Sequence, residues 1–160
     1  MRSFWPWLLL GIVFVFLVFL QTTSWLMVFG IRPNWTLLLL TTLSFFVGNF
    51  FLFIAAVIFT GLVIFSASSF LPVLVISVLG LLAFWLGHSL PGKPFFNNSF
   101  ILVLGTFVFY GLTNAVFLSG HPSLVAAEAL INAFFGSLFF LSLRFLFRDS
   151  HEKKARVAIR

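Results

Sequence analysis

Residues 8–20 read LLLGIVFVFLVFL, and residues 50–59 read FFLFIAAVIF. Neither run contains a charged residue, and neither alternates polar with apolar positions as the strands of a membrane barrel do. In lipid, every backbone N–H and C=O group must be paired inside the protein, which only helices and closed barrels achieve. The unbroken runs therefore predict an all-α integral membrane protein.

The composition of the whole chain leads to the same prediction. Of its 160 residues, 62% are hydrophobic and 8% are charged, whereas a soluble domain has about 25% charged residues. A soluble fold of this size could not hide so much apolar surface. The net charge of +6 is concentrated near the C-terminus, at Arg144, Arg148, Lys153, Lys154, Arg156 and Arg160. We therefore predict a basic tail at a lipid surface and no nucleic-acid partner.

Six membrane spans fit the chain, because a crossing helix needs about 20 mostly apolar residues. The predicted spans are residues 5–28, 33–47, 50–65, 70–87, 99–118 and 123–147. Together they form a transmembrane domain over residues 1–148, followed by the basic cytoplasmic tail at 149–160. The uncharged stretch from 33 to 87 leaves two long spans or three shorter ones open. Breaks at 48–49 and 66–72 favour three.

The basic residues also predict an orientation. With six spans, Arg2, Lys93 and the basic tail lie on the inner side of the membrane, and Arg32 is the only basic residue outside. This distribution follows the positive-inside rule and places both termini in the cytoplasm. The first segment lacks a signal-peptidase cleavage pattern, so we expect it to remain as a span.

Glu128 is the one acidic residue inside a predicted span. An ionisable group within a membrane helix is costly and is a candidate functional residue. Three interpretations stay open. Glu128 lies partly wet near the outer interface, it pairs with Arg32 at the start of the second span, or it binds a substrate or a proton.

Other polar residues in the spans indicate helix packing rather than chemistry. Gln21, Tyr110, Asn114 and Asn132 are expected to join helices by hydrogen bonds. A candidate packing face on the sixth span has small residues at helical spacing, namely Ala129, Ala133, Gly136 and Ser137. Its partner is another helix of this chain or of another protein, and we favour packing within the chain.

Catalytic and metal-binding patterns do not emerge from the sequence. It contains no cysteine, and His88, His121 and His151 share no helical spacing. Phosphate-binding loops, the G-x-S-x-G motif and the H-E-x-x-H motif do not occur. We therefore predict a protein that is not an enzyme and has no cofactor and no metal site.

Three segments resemble the rod-shape-determining MreD family over nearly the whole chain. The first is GIRPNWTLLLLTTLSFFVGN (30–49), in which Arg32, Pro33 and Asn34 form the predicted helix-start motif of the second span. Pro33 suits the first position of a helix and disfavours helical structure at Arg32. The others are TGLVIFSASSFLPVLVISVLGLLAFWLG (60–87) and ALINAFFGSLFFLSLRFLF (129–147).

Two departures from the family pattern lie near the third span. The family often has an acidic residue after a Gly-Leu run, whereas Gly61 is followed here by LVIF. A Pro-Leu-Gly turn in the family is replaced by Leu71, Pro72 and Val73. If these positions contact a partner in the family, that contact differs in this chain.

The resemblance implies a non-catalytic scaffold of the cell-elongation machinery in the bacterial inner (plasma) membrane. It implies MreC-like, MreB-like and peptidoglycan glycosyltransferase and transpeptidase partners, and a fold similar to substrate-binding subunits of energy-coupling-factor transporters. That similarity gives an alternative, a vitamin- or metal-uptake subunit with polar and aromatic groups near the outer face. The candidates for such a site are Arg32, Asn34, Trp35, Glu128 and Asn132. A third alternative is a membrane protein with an unrelated helical bundle.

Overall fold

A computed structural model of the protein describes residues 5–22, 27–28, 30–65 and 70–157. Its helices are α1 (Trp5–Thr22), α2 (Trp35–Ser44), α3 (Phe50–Phe65), α4 (Phe70–Ser89), α5 (Pro94–Thr113), α6 (Ala115–Gly120) and α7 (Pro122–Val157). Within those ranges the only β-type pairing is an isolated bridge between Val28 and Ile31. The prediction of an all-α protein is confirmed.

Among the described residues, three helices are long and apolar enough to cross a membrane, judged by length and composition. They are α4, α5 and the Pro122–Phe147 part of α7, and they agree with the predicted membrane environment. The apolar helices α2 and α3 are shorter. With 10 residues and a rise of about 1.5 Å per residue, α2 is about 15 Å long, half of the roughly 30 Å hydrocarbon core. The count of six spans stays a prediction.

The helix α2 lies at the centre of the bundle, because all ten of its residues are buried. Gly80 of α4 permits a close approach, since a Cβ atom there would lie 3.1 Å from Leu40 Cδ1. Farther along the same pair, the Ser44 hydroxyl donates to the Ala83 carbonyl at 3.2 Å. The residue numbers rise together on the two helices, so α2 and α4 run parallel.

Aromatic contacts give the direction of the other neighbours. Trp35 at the start of α2 lies 5.2 Å from Phe135 of α7, and Phe46 beyond the end of α2 lies 4.9 Å from Phe140. The helices α2 and α7 therefore also run parallel.

The helix α3 runs in the opposite direction to α4. The ring of Phe53 packs 4.8 Å from that of Phe84, whereas Gly61, later in α3, faces Val73, earlier in α4. Since α5 is antiparallel to α7, as the contacts of the polar cluster below show, direction alternates along α2, α3, α4, α5 and α7.

Several helix boundaries differ from those predicted. The first helix ends at Thr22 rather than near residue 28, and the described residues 27, 28 and 30 are not helical. The second begins at Trp35 and ends at Ser44, not at 33–47. The third covers 50–65 as predicted, and the fourth ends two residues late, at Ser89.

The later boundaries differ more. The predicted fifth span, 99–118, begins earlier, because Pro94 occupies the first turn after an extended Lys93, and it is broken at Asn114. The helix predicted at 123–147 begins at Pro122 and continues into the predicted tail as far as Val157. No glycine or proline follows Gly136 to stop it.

Candidate functional site

A buried carboxyl group lies at the centre of the candidate site. Glu128 is on α7, six residues after Pro122, and is 6% exposed. The Tyr110 hydroxyl of α5 donates to Glu128 Oε2 at 2.6 Å, within the usual range for an O–H···O bond. Asn132 lies one turn farther along α7. The carboxyl of α7 is therefore bound by a side chain of the neighbouring helix α5.

Asn132 links α7 to two further elements. Its Nδ2 atom donates to Thr106 Oγ1 of α5 at 3.0 Å, and its Oδ1 atom accepts the backbone N–H of Asn34 at 2.9 Å. Asn34, Thr106, Tyr110, Glu128 and Asn132 are called the polar cluster below. As the residue number falls from 110 to 106 on α5, it rises from 128 to 132 on α7, so the two helices are antiparallel.

The segment that leads into α2 explains why the cluster needs Asn132. Pro33 and Asn34 are buried but lie outside the helix. A buried backbone N–H group without a partner is costly, and the Asn132 amide oxygen supplies that partner for Asn34. The Asn34 side chain in turn accepts the backbone N–H of Leu37 at 3.0 Å, which makes it the N-cap of α2.

The predicted helix-start motif is therefore corrected at one position. Pro33 was expected to be the first residue of the helix, but Asn34 caps it and Trp35 is the first helical residue. The cap explains the difference, because a side-chain oxygen satisfies one of the free N–H groups of the first turn. Arg32, the first residue of the motif, is exposed.

The structure brings the chain segments of the predicted Arg32–Glu128 pair close together but does not join the two charged side chains. The start of α2 does meet α7 one turn from Glu128, through Asn34 and Asn132. Within the described ranges, however, no salt bridge joins the two charged groups, and Glu128 bonds to Tyr110 of α5 instead. The segment that leads into α2 places the Asn34 backbone against α7, and Arg32 therefore lies on the surface of the bundle.

Aromatic rings surround the cluster at its α6 end. The ring of Phe117 stacks on Tyr110, with centroids 5.5 Å apart and an interplanar angle of 28°, and His121 lies 5.1 Å from Phe117. Asn114 ends α5 and accepts the backbone N–H of Phe117 at 3.1 Å. The short helix α6 therefore covers Tyr110 from one side.

The small residues of α7 pack against α5. A Cβ atom on Gly136 would overlap Leu102 Cδ1, and the Ser137 and Ser99 hydroxyl oxygens are 3.0 Å apart. Ala129 is 1% exposed and Ala133 is half-buried. This face thus has an intramolecular partner, the alternative that the sequence analysis favoured.

Sequence analysis identified most of the polar cluster but missed Thr106. Tyr110 and Asn132 were expected to join helices, and they do. Thr106 could have been found from spacing, because it precedes Tyr110 by one helical turn just as Glu128 precedes Asn132. Two polar pairs with equal spacing on antiparallel helices can bond pair to pair.

Other buried polar atoms remain unpaired in the structure. They are the hydroxyl oxygens of Thr36, Thr41, Thr42 and Thr60, with Gln21 Oε1 and Asn98 Oδ1. In the part of the chain that the structure describes, no three His, Cys, Asp or Glu side chains are grouped to bind a metal ion. The main polar assembly is therefore the cluster around Glu128 and Asn132.

The comparisons with known proteins return no match: no family model, no curated protein and no solved structure matches the chain. What the described residues define is a class, a helical membrane protein in which a buried polar cluster joins α2, α5 and α7.

Proposed function

We propose that the protein is a non-catalytic membrane scaffold of the cell-elongation machinery, which docks partner proteins for lateral peptidoglycan synthesis and regulates cell shape. One observation carries this proposal. Residues 30–49, which resemble the MreD family, include the fully buried α2 at the centre of the bundle. The motif thus determines how the helices assemble, as a scaffold requires.

The polar cluster supports the same role. Its hydrogen bonds connect α2, α5 and α7 to one another, and Asn34, Glu128 and Asn132 are at most 6% exposed. A satisfied buried network rigidifies a core. The bonds that Asn132 makes to Asn34 and Thr106 then hold a fixed bundle, whose outer faces are available to lipid and to the helices of other proteins.

Exposed apolar side chains cover those outer faces. On α3, Phe51 is 81% and Leu62 is 68% exposed, and on α4 Trp85 is 65% exposed. Leu62 and the exposed Leu71 belong to the two places where the sequence departs from the family pattern. We expect partner choice here to differ from that of typical family members, because the departures lie on an outer surface.

The proposed topology has six spans with both termini in the cytoplasm of a bacterium, across the inner membrane. The alternating directions of α2, α3, α4, α5 and α7 support it. The short α2 can cross together with residues 31–34, because non-helical backbone is tolerated at membrane depth when protein buries it. Pro33 and Asn34 are buried in this way.

Co-isolation from the native membrane tests the proposal. A tagged chain extracted in mild detergent should bring with it an MreC-like protein with one membrane span, and through it MreB and the glycosyltransferase and transpeptidase pair. Depletion of the protein should turn rod-shaped cells round. An unrelated six-span protein with the same tag is the control. Normal cell shape after depletion, together with no elongation protein in the eluate, would refute the scaffold.

The alternative, a substrate-binding uptake subunit, is favoured by the content of the polar cluster. Of its five predicted residues, Asn34, Glu128 and Asn132 lie in the cluster, and Trp35 is adjacent to Asn34 and packs on Phe135. Mass spectrometry of the purified protein tests this alternative. A vitamin-sized molecule or a co-purified ATPase would support uptake and oppose the scaffold.

A further inference from the structure

The polar cluster contains one group that a purely structural role does not need, the Glu128 carboxyl. Asn132 alone makes the bond that joins α7 to the Asn34 backbone, and it also bonds to Thr106 of α5. Among the described residues, the side chain that hydrogen-bonds to Glu128 is that of Tyr110, which is uncharged. In this part of the chain, the carboxyl therefore lies inside an apolar bundle without a cation beside it.

The titratable and charged groups near the cluster do not supply that cation. Tyr110 faces Glu128 from α5 and is a neutral donor. Arg32, before α2, is exposed. His121, between α6 and α7, is exposed, and its ring lies tilted against that of Phe117. An isolated carboxylate in an apolar interior is expensive, and such a group becomes neutral instead.

We infer that Glu128 is a proton-binding site within the membrane bundle, exchanged at the face that α6 covers. In the proton-bound state, Oε2 accepts the Tyr110 hydroxyl and the other carboxyl oxygen carries the proton. Loss of the proton leaves an anion whose hydrogen-bond donor among the described residues is the neutral Tyr110. This site goes beyond the scaffold role and does not depend on it.

The helix α6 is placed to sense this change. Phe117 stacks on the same Tyr110 ring whose hydroxyl bonds to Glu128. The helix has no buried residue and is separated from its neighbours by breaks at Asn114 and His121. A shift of Tyr110 on proton release can therefore move α6 without disturbing the buried core.

A hydrophobic carbodiimide tests the site directly. Dicyclohexylcarbodiimide enters apolar regions, where a carboxylic acid O–H adds across one C=N bond to form an O-acylisourea. Migration of the acyl group from oxygen to nitrogen then gives a stable N-acylurea, so the whole reagent is added and nothing leaves. The chain has three acidic residues, so peptide mapping by mass spectrometry distinguishes Glu128 from Asp149 and Glu152.

The expected result is labelling of Glu128 in the wild-type protein in lipid, with labelling that falls as the pH rises. A water-soluble carbodiimide with an added amine is the matched control and should label the two tail acids instead. Glu128 unlabelled by the hydrophobic reagent at every pH, in protein that is folded by circular dichroism, would overturn the proposal. Because this labelling experiment uses the wild-type chain, it does not depend on whether a variant folds.

A second measurement tests the link to α6. The chain has no cysteine, so Val116→Cys, at a position that is 83% exposed, takes a single spin label. Label mobility should change with pH in this variant and stay constant when E128Q is added. His121→Gln in place of E128Q should leave the response intact. Equal responses with and without E128Q, or none in either, would overturn the link.

Discussion

At the scale of single residues, Asn132 is the side chain of α7 that bonds to two other segments of the bundle. One amide satisfies the Asn34 backbone on α2 and the Thr106 hydroxyl on α5, and the side chain is 0% exposed. Its loss would leave the Asn34 N–H buried and unpaired, whereas the Thr106 hydroxyl would keep its bond to the Leu102 carbonyl at 2.8 Å. In lipid no water can replace it, so the amide determines how α2 enters the bundle.

Asn132→Leu keeps the approximate volume and removes both hydrogen bonds. We expect it to lower the free energy of unfolding by about 1–3 kcal/mol, the cost of unpaired buried polar groups. The measurement is unfolding of purified protein in mixed micelles by circular dichroism. Ser142→Ala is the control, because Ser142 is exposed and bonds only within its own helix. Equal stability of Asn132→Leu and wild type would contradict this role.

Sequence alone could predict that Asn132 joins helices but not which groups it joins. A polar residue inside an apolar span indicates an interhelical bond, and that rule also identified Tyr110. It cannot indicate that the partner of Asn132 is a backbone N–H, since backbone groups have no signature in the sequence. Opposite charge was the only pairing signal available for Glu128, so the sequence analysis offered Arg32 as its partner, whereas the structure gives it the Tyr110 hydroxyl.

At the scale of helices, the strongest intramolecular packing joins α5 and α7 through small residues. Gly136 faces Leu102, which is 0% exposed, and an added Cβ atom at Gly136 would overlap Leu102 Cδ1. Gly111 of α5 is the matched comparison, because a Cβ there would meet Leu118 at an ordinary 3.9 Å. Close approach is therefore required at one glycine and not at the other.

Gly136→Ala should destabilise the protein by about 1–3 kcal/mol, the usual cost of overpacking, while Gly111→Ala should be tolerated. Unfolding in mixed micelles again gives the values. A double variant with Leu102→Ala, compared with Leu102→Ala alone, should show that most of the cost of Gly136→Ala disappears when space is made. If both glycine variants lose the same stability, the Leu102 contact does not control it, since the higher helix propensity of alanine would by itself stabilise both helices.

Helix boundaries show what sequence reasoning can and cannot provide. The starts of α3 and α4 were predicted because Gly48–Asn49 and the Ser-rich 66–69 segment are recognisable breaks. The break at Asn114 was not, because one asparagine in an apolar run indicates packing as readily as capping. Here the Asn114 side chain accepts the Phe117 N–H and thereby takes the place of a backbone acceptor at the break.

At the scale of the whole molecule, the antiparallel register of α5 and α7 can be tested with a cross-link. Ser99 and Ser137 have hydroxyl oxygens 3.0 Å apart, and the natural chain has no cysteine. Ser99→Cys with Ser137→Cys should therefore form a disulfide under mild oxidation, seen as a mobility shift that a reductant reverses. Ser99→Cys with Ser142→Cys should not, since five residues rotate the second position onto another face of α7. Equal cross-linking of both pairs would contradict the register.

The topology of the whole chain depends on whether α2 crosses the membrane, and two exposed positions decide it. The six-span proposal places Leu90, after α4, in the cytoplasm and Val116, in α6, outside. A membrane-impermeant maleimide applied to spheroplasts should label Val116→Cys at once and Leu90→Cys only after permeabilisation. The cysteine-free parent is the control for background. If α2 entered and left by one face, α3, α4 and α5 would each cross in the opposite direction. Leu90→Cys would then be labelled from outside and Val116→Cys would be protected. Because Lys93 would join Arg32 on the outer side in that arrangement, the same experiment tests whether the charge distribution or the short length of α2 controls the orientation.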